Sequence, residues 1–396
     1  MKLLVYVNSW APSVGGVETI TKILAEGLVE WSKEHHEAAT EVTLITKTPA
    51  GNLNDSQLPY RVVRSPSFLQ LAHEIRIADV VHLAGPTLVP LLITYLLRKP
   101  TVVEHHGYQV NCPNGLLLFQ PDRSVCPGHF MAGRYGKCIK CNQQDVGWIA
   151  SVRGLLLTFL RRWFCLRVAG NIAITNHVAK RIELPRTRTI YYGVYDRGER
   201  SSDESSGSHH ALAIGYVGRL VQEKGLPVLL HAVEKLDKSG AAFHLTFVGD
   251  GPERARLQGL SERLGLDDRV TFKGDLRGKN LLEVLKTIQV VIMPSEWEET
   301  AGLAAIEQMM SAGAVIVADI GGLSEVVGQA GRKFSTGNAE ELYACLETIV
   351  KDRSEIKQLG TAARARALRE FSVNRFIAQH SGFYREVQEN ESPLSE

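Results

Sequence analysis

The chain has 396 residues, of which 44% are apolar, with 45 lysines and arginines against 43 aspartates and glutamates. That length exceeds one ordinary core and suits two domains of roughly 150 to 200 residues. A net charge of +2 excludes a globally basic nucleic-acid binder.

The chain opens directly on a strand pattern, LLVYVNS, with no leader-like segment before it, and its longest apolar run, 88–97, is too short for a bilayer, which takes about 20 residues. Both features lead to the expectation of a cytoplasmic protein. A loop with Gly15 and Gly16 precedes a helix over 17–30. Glycines there let backbone amides approach a phosphate or sugar, although a tight turn is the other reading, since the G-x-G-x-x-G fingerprint is absent. Strands follow at 41–46, 80–83 and 101–105, with an apolar helical segment at 87–97. Strands alternating with helices imply a parallel sheet covered on both faces. His105, His106 and Gly107 close the strand TVVEHHG, where a histidine is either a hydrogen-bonded structural residue or a catalytic one.

Cys112, Cys126, Cys138 and Cys141 then crowd into a segment of little periodicity, spaced C-x13-C-x11-C-x2-C. In a reducing compartment such clustering favours metal over disulfides. One C-x-x-C knuckle with two separated cysteines can enclose a structural Zn²⁺ that staples a loop and performs no chemistry; free thiols and a redox or cluster role stay open beside it. Residues 152–168, VRGLLLTFLRRWFCLRV, form an amphipathic helix carrying Arg153, Arg161, Arg162 and Arg167. It suits either an anionic lipid surface or a core helix with a basic outer face. Strands at 171–175 and 189–192 end the first half, and the serine-rich stretch 196–210 reads as a linker.

The second half repeats the rhythm, with strands at 213–217, 244–248, 270–273, 290–293 and 315–318 and helices starting near 225, 252, 279, 302 and 323. Arg219 and Lys224 share the loop after its first strand. Two cations there can neutralise a diphosphate, Arg as a fork and Lys as a point charge, or simply be solvated. The stretch 294–322, PSEWEETAGLAAIEQMMSAGAVIVADIGG, reads as a strand end, an acidic loop, a helix from 301 or 302, and the next strand. Its loop falls at the carboxyl edge of a buried strand, where open α/β sheets bind ligands. Glu299 lies in the loop and Glu307 in the helix, and the free amides of Gly302 and Leu303 between them suit an anion. Two acids around such a helix start fit a ligand with hydroxyls and phosphate, such as a nucleotide sugar; a first-turn charge and a solvated face are the plain structural explanation. Helices at 339–350, 355–368 and 371–387 follow with no further strands, and the last must pack through Phe376, Ile377, Phe383 and Tyr384.

YVGRL, QEKG, FVGDGP, PSEWEETAGLAAIE and DIGGLSEVV, in that order between 216 and 327, resemble the retaining group-1 glycosyltransferases of GT-B architecture. SVGGVE, VVEHHGYQVNCPNG and YYGV extend the resemblance over nearly the whole chain, and the cysteines resemble an insertion found in a subset of the family. The resemblance implies an α/β fold of two Rossmann-like domains facing across a cleft. The first is 1–195, with the Cys-rich insertion at 108–147 and a last helix, 371–390, crossing back onto it; after the linker 196–210 the second is 211–370. It implies that Arg219 and Lys224 hold the donor diphosphate, with Gly15 and Gly16 approaching it. Glu307 then takes the ribose hydroxyls, and Glu299 with the amides of Ala301, Gly302 and Leu303 takes the sugar and phosphate. His106 lies near the transferred sugar and the acceptor, so Glu299, His106, Arg219 and Lys224 are the catalytic candidates. Two departures stand out: an aspartate that follows the histidine in many relatives is Gly107 here, and a large aromatic before Gly302 is Ala301.

The expected activity is transfer of a hexose, with retention, from a nucleoside-diphosphate sugar, UDP favoured, to a lipid-linked or polysaccharide acceptor in cell-surface glycan synthesis. Its expected place is the cytoplasm, peripheral at the inner, anionic face of the membrane. No Asp-x-Asp triplet occurs and the two cations offer a substitute for a divalent metal, so no cofactor is expected for catalysis, a structural zinc aside. A nucleotide-sugar hydrolase or epimerase of the same fold is the alternative. A dinucleotide-dependent oxidoreductase is more remote, given the missing fingerprint.

Overall fold

The computed structural model describes residues 1–13, 15–35, 40–51, 53–196, 198–199 and 211–390. It divides into two compact units, Met1–Gly193 with Ser372–Glu396, and Val194–Phe371. Most of the expected linker, 197 and 200–210, lies outside the described residues, while Asp196 is anchored within the second unit by a fork from Arg364 at 2.9 Å to each oxygen.

The first unit runs β1 (Lys2–Val7), α1 (Gly16–Glu34), β2 (Glu41–Thr46), β3 (Arg61–Arg64), α2 (Phe68–Ile77), β4 (Val80–Leu83), α3 (Leu88–Leu96) and β5 (Thr101–His105). A small hairpin, β6 (Leu118–Phe119) and β7 (Ser124–Val125), precedes α4 (Tyr135–Cys165), β8 (Gly170–Ala173), α5 (Asn176–Ile182) and β9 (Thr187–Thr189). Seven strands pair in parallel in the order β3-β2-β1-β4-β5-β8-β9. Helices cover both faces of the central strands, which is why β1, β4 and β5 are near-continuously buried rather than buried at alternate residues.

The second unit runs β10 (Leu212–Val217), α6 (Leu226–Lys238), β11 (Phe243–Val248), α7 (Arg254–Arg263), β12 (Val270–Phe272), α8 (Gly278–Thr287) and β13 (Val290–Met293). It continues through α9 (Leu303–Met310), β14 (Ala314–Ala318), α10 (Gly321–Val327), β15 (Arg332–Phe334), α11 (Ala339–Lys351) and α12 (Ser354–Glu370). Its parallel order, β12-β11-β10-β13-β14-β15, is that of a Rossmann sheet, with the strand order reversing between β10 and β13. The final helix, α13 (Val373–Asn390), belongs to the first unit, where Ile377 packs so close over Gly27 of α1 that a Cβ there would lie 2.6 Å from its Cδ1.

Several elements differ from the sequence reading. Cys138 and Cys141 sit not in a loop but in α4, which starts well before the amphipathic segment and is broken at Gly147, whose φ is 79°. The strand expected at 189–192 is β9, ending at Thr189, and β3 and β15 are additional strands. Helix α9 starts at Leu303, one residue after the left-handed Gly302, and α13 starts at Val373.

Candidate functional site

The strand order reverses between β10 and β13, the place in an open α/β sheet where ligands bind at the carboxyl ends of the strands, and the chain places two loops there. After β10, the Tyr216 hydroxyl donates to the Arg219 carbonyl at 2.8 Å, which shapes the turn and leaves the Arg219 side chain exposed. Gly225, at φ 63°, ends the same loop against the carbonyl of Pro294, where any Cβ would collide. The two loops are therefore held in register by a close backbone approach that only glycine permits.

Their contact is a charged pair. Lys224 Nζ donates to Glu299 Oε1 at 2.7 Å, with the side chains 15% and 5% exposed. Ser295 Oγ donates to the same oxygen, and the ammonium stands 5.7 Å from the centroid of the Trp297 ring. An ammonium has three N–H groups, so one bond to Glu299 leaves others for an anion. Glu299 Oε2 faces Gly302, lying 3.6 Å from where a Cβ on that residue would be. Gly302, at φ 74°, turns the chain into α9, whose first internal bond is from Ala305 N–H to the Gly302 carbonyl at 2.9 Å. The amides ahead of it have no partner within the helix, and with the positive end of the helix they are of the kind that suits an anion. Ala301 is buried, and Glu307, one turn into α9, is half-buried. The structure thus gathers Arg219, Lys224, Glu299, Ala301, Gly302, Leu303 and Glu307 around one strand junction. Ser295 and Trp297 were not singled out from the sequence; Ser295, four residues before Glu299 in the same loop, was the signal available.

In the first unit, Gly15 caps α1 in an extended conformation and Gly16 begins the helix, at the carboxyl end of β1. His106, just past β5, lies in a buried polar cluster that sequence reasoning missed. Its Nδ1 meets the Tyr192 hydroxyl at 2.8 Å, and its Nε2 stands 3.7 Å from Glu104 Oε2. Burial pushes the His106 imidazole down to about 4, with the Glu104 charge pulling the other way. His105 points elsewhere, to Asn171 Oδ1 at 2.9 Å.

All four clustered cysteines are buried, which pushes the thiols of Cys112 up to about 11 and of Cys138 to about 12. Cys112 Sγ donates to Asn114 Oδ1 at 2.9 Å, and the Gln120 N–H donates to Cys141 Sγ at 3.3 Å. The donor types suit zinc, but among the described residues no group of three or more His, Cys, Asp or Glu side chains is arranged to hold a metal ion. A cavity of about 550 Å³ in the first unit, lined by Arg167, Arg186, Arg188, Phe383 and Glu386, contains none of the candidate residues.

Two parallel sheets of Rossmann order define the class: this is the GT-B fold of glycosyltransferases. Anabaena Alr3699/HepE, solved in complex with UDP and glucose, matches over 98% of this chain and 100% of its own, with a TM-score of 0.71 and 18% identity. Sucrose-phosphate synthase from Thermosynechococcus elongatus matches over 98% and 100%, with a TM-score of 0.73 and 19% identity. At such identity the likeness is one of fold. In sequence, residues 200–366, within the second unit, match the family described as "Glycosyl transferases group 1". The 2-deoxystreptamine glucosyltransferase of Streptomyces kanamyceticus is 28% identical over 255 residues, which are 60% of this chain and 64% of that protein. The sulfoquinovosyl transferase SQD2 of Arabidopsis thaliana is 32% identical over 165 residues, 40% of this chain and 31% of that one. The chain thus spans less than two thirds of the length of either relative.

Proposed function

We propose that the protein is a retaining glycosyltransferase that moves a hexose from a nucleoside-diphosphate sugar, UDP favoured, to a lipid-linked or polysaccharide acceptor without a catalytic metal. The observation that carries this reading is the Lys224–Glu299 pair at the β10/β13 junction, beside the start of α9. As the bond from the anomeric carbon to the diphosphate breaks, negative charge gathers on the phosphate and positive charge on the sugar ring. Arg219, Lys224 and the first amides of α9 would stabilise the former, as fixed cations and dipoles do in a transition state. In retention on one face, the acceptor oxygen bonds the same carbon and its proton passes to the departing phosphate. Glu299 and Glu307 take the sugar and ribose hydroxyls. The relative's name supports transfer of a hexose, and the UDP and glucose in the HepE structure support the donor class.

Thermal shift with UDP, GDP, ADP and NAD is the first test, and stabilisation by UDP is expected; a shift with NAD alone would sink the proposal. Incubation with donor alone separates the alternative, since turnover without acceptor marks a nucleotide-sugar hydrolase or epimerase.

The acceptor side of the proposal includes contact with an anionic membrane, which one feature of α4 favours. Ile149, Leu156, Leu160 and Trp163 form an exposed stripe, 79%, 59%, 49% and 39% accessible, at helical spacing. Arg153 lies on the same stripe, Arg167 just past the helix holds its guanidinium 4.0 Å from the Trp163 ring centroid, and Tyr95 of α3 extends the stripe edge-on to Trp163 at 5.2 Å. An apolar face interleaved with arginines fits an anionic lipid surface. No helix among the described residues is long and apolar enough to cross a membrane. Co-sedimentation with phosphatidylglycerol vesicles is expected, weakened by Ile149→Glu with Leu156→Glu and absent with phosphatidylcholine. Unchanged binding in that variant removes the contact.

A further inference from the structure

We propose that Glu104, near the end of β5, is the positioning residue of His106, holding its imidazole in the Nε2–H tautomer with Nδ1 unprotonated. The role matters for catalysis only if the glycosyltransferase reading holds; the tautomer itself does not depend on it.

Glu104 is 1% exposed and three imidazoles surround it. Its Oε2 is 3.3 Å from His82 Nε2 and 3.7 Å from His106 Nε2, and its Oε1 is 3.9 Å from His380 Nε2. None of these three Nε2 atoms has a hydrogen-bond partner among the described residues, Glu104 included. The other ring nitrogens are all engaged: His82 Nδ1 with the Tyr384 hydroxyl at 2.9 Å, His106 Nδ1 with the Tyr192 hydroxyl at 2.8 Å, and His380 Nδ1 with the Phe376 carbonyl at 2.9 Å.

The tautomers follow from what each partner can do. A carboxylate only accepts, a neutral imidazole has one donor and one acceptor, and a tyrosine hydroxyl can donate. His82 and His106 therefore turn Nε2–H towards Glu104 and accept from tyrosine at Nδ1. His380 is the reverse, because a carbonyl only accepts and Nδ1–H must serve it. Its bare Nε2 then stands 3.9 Å from Glu104 Oε1, beyond hydrogen-bond reach, and neither atom is satisfied by the other. Burial favours neutral rings throughout, pushing His82 down to about 3 and His106 and His380 to about 4.

The sequence explains why the carboxylate comes from this place. Residues 104 and 106 are two apart, so an extended chain sends their side chains to one side. Gly107 has no side chain to offer, and the acid is supplied from the strand instead of the residue after the histidine. A group of this kind orients a ring and selects its tautomer without touching substrate.

The test is long-range ¹H–¹⁵N spectroscopy of the ¹⁵N-histidine-labelled full chain between pH 5.5 and 8, with the His106 signals assigned by their loss in His106→Gln. Nε2–H at His106 across that range is expected. Glu104→Gln keeps an acceptor oxygen facing His106 and places an amide donor near His380, so it should keep the tautomer and most of kcat. Glu104→Ala should mix the tautomers and lower kcat about tenfold or more with the donor KM unchanged. An Nδ1–H or mixed tautomer in the wild type overturns the proposal, as does full kcat in Glu104→Ala. Should that variant not fold, the wild-type spectra and Glu104→Gln decide alone. A wild type with the expected tautomer but no transfer from any donor removes the glycosyltransferase reading and leaves the tautomer assignment standing.

Discussion

Lys224→Met keeps an unbranched aliphatic side chain and removes the ammonium, so it isolates the charge that couples the two site loops. At the 2.7 Å separation of the pair, an effective dielectric of about 20 gives an attraction of roughly 6 kcal/mol. Part of that is cancelled because burying the ammonium costs hydration, and removing one partner of a buried pair typically costs about 3 to 5 kcal/mol. Lys224 is 15% exposed, which places the variant at the lower end, about 3 kcal/mol. In a domain of this size that corresponds to a fall in Tm of roughly 6 to 12 °C. Glu299→Gln added to Lys224→Met should recover at least half of the loss, since a neutral amide no longer strands a charge and still accepts from Ser295. Differential scanning calorimetry of the wild type, both single variants and the double variant closes the cycle. A Lys224→Met protein melting within a degree of the wild type would refute the coupling argument. UDP titration of the same proteins tests function separately. Loss of a charged hydrogen bond to phosphate should weaken binding about 10- to 100-fold, and unchanged binding in a destabilised variant would make Lys224 a structural residue only.

Gly302→Ala forces a Cβ onto a backbone at φ 74° and within 2.5 Å of Leu323 Cδ1; a cost of about 1 to 2 kcal/mol in urea unfolding is expected, with weaker UDP binding, and an unchanged midpoint would show that the helix start is not strained. Glu307→Ala should raise the donor KM while leaving Tm within a few degrees, and a normal KM removes it from the ribose site. The thiols of Cys112 and Cys138 are pushed from 9.0 up to about 11 and 12, so the folded chain keeps protons that the unfolded chain sheds. Their contribution to stability is full below about pH 9 and is lost as pH rises towards 11; alkylation at pH 8 should be far slower at these positions in native protein than in urea. His82 and His105 are pushed from 6.5 down to about 3 and 4, so the unfolded chain gains protons first on acidification. Stability should fall as pH drops below 6.5, by on the order of 1 kcal/mol for each ring at pH 5.5, and a flat Tm between pH 7 and 5 would contradict this.

The strands that sequence reading missed or displaced share one physical cause. β3 and β9 are the edges of the first sheet and β15 is an edge of the second. Their sequences, RVVR, TRT and RKF, are short and partly charged, as edge strands exposed on one side tend to be. The central strands, buried on both faces, were legible because an apolar run is the only pattern such a position accepts. The first part of α4 escaped for the opposite reason: it is a helix of largely polar residues that buries little beyond its two cysteines, so no periodicity marks it.

The candidate site divides the same way, by whether its parts are brought together by strand order or by side-chain packing. Lys224 and Glu299 are far apart in the chain, yet each follows a strand of the pair that meets where the sheet reverses. Once the alternation of strands and helices is recognised, their proximity is a consequence of topology. Glu104 is different, because its partners come from β4, from β5 and its end, and from α13, and no spacing rule joins His82 to His380. Only the trace of a carboxylate two residues before a histidine was visible in the sequence. It follows that an acid absent from the expected position, Gly107, says little by itself, because the fold can deliver the same group from the strand beneath it.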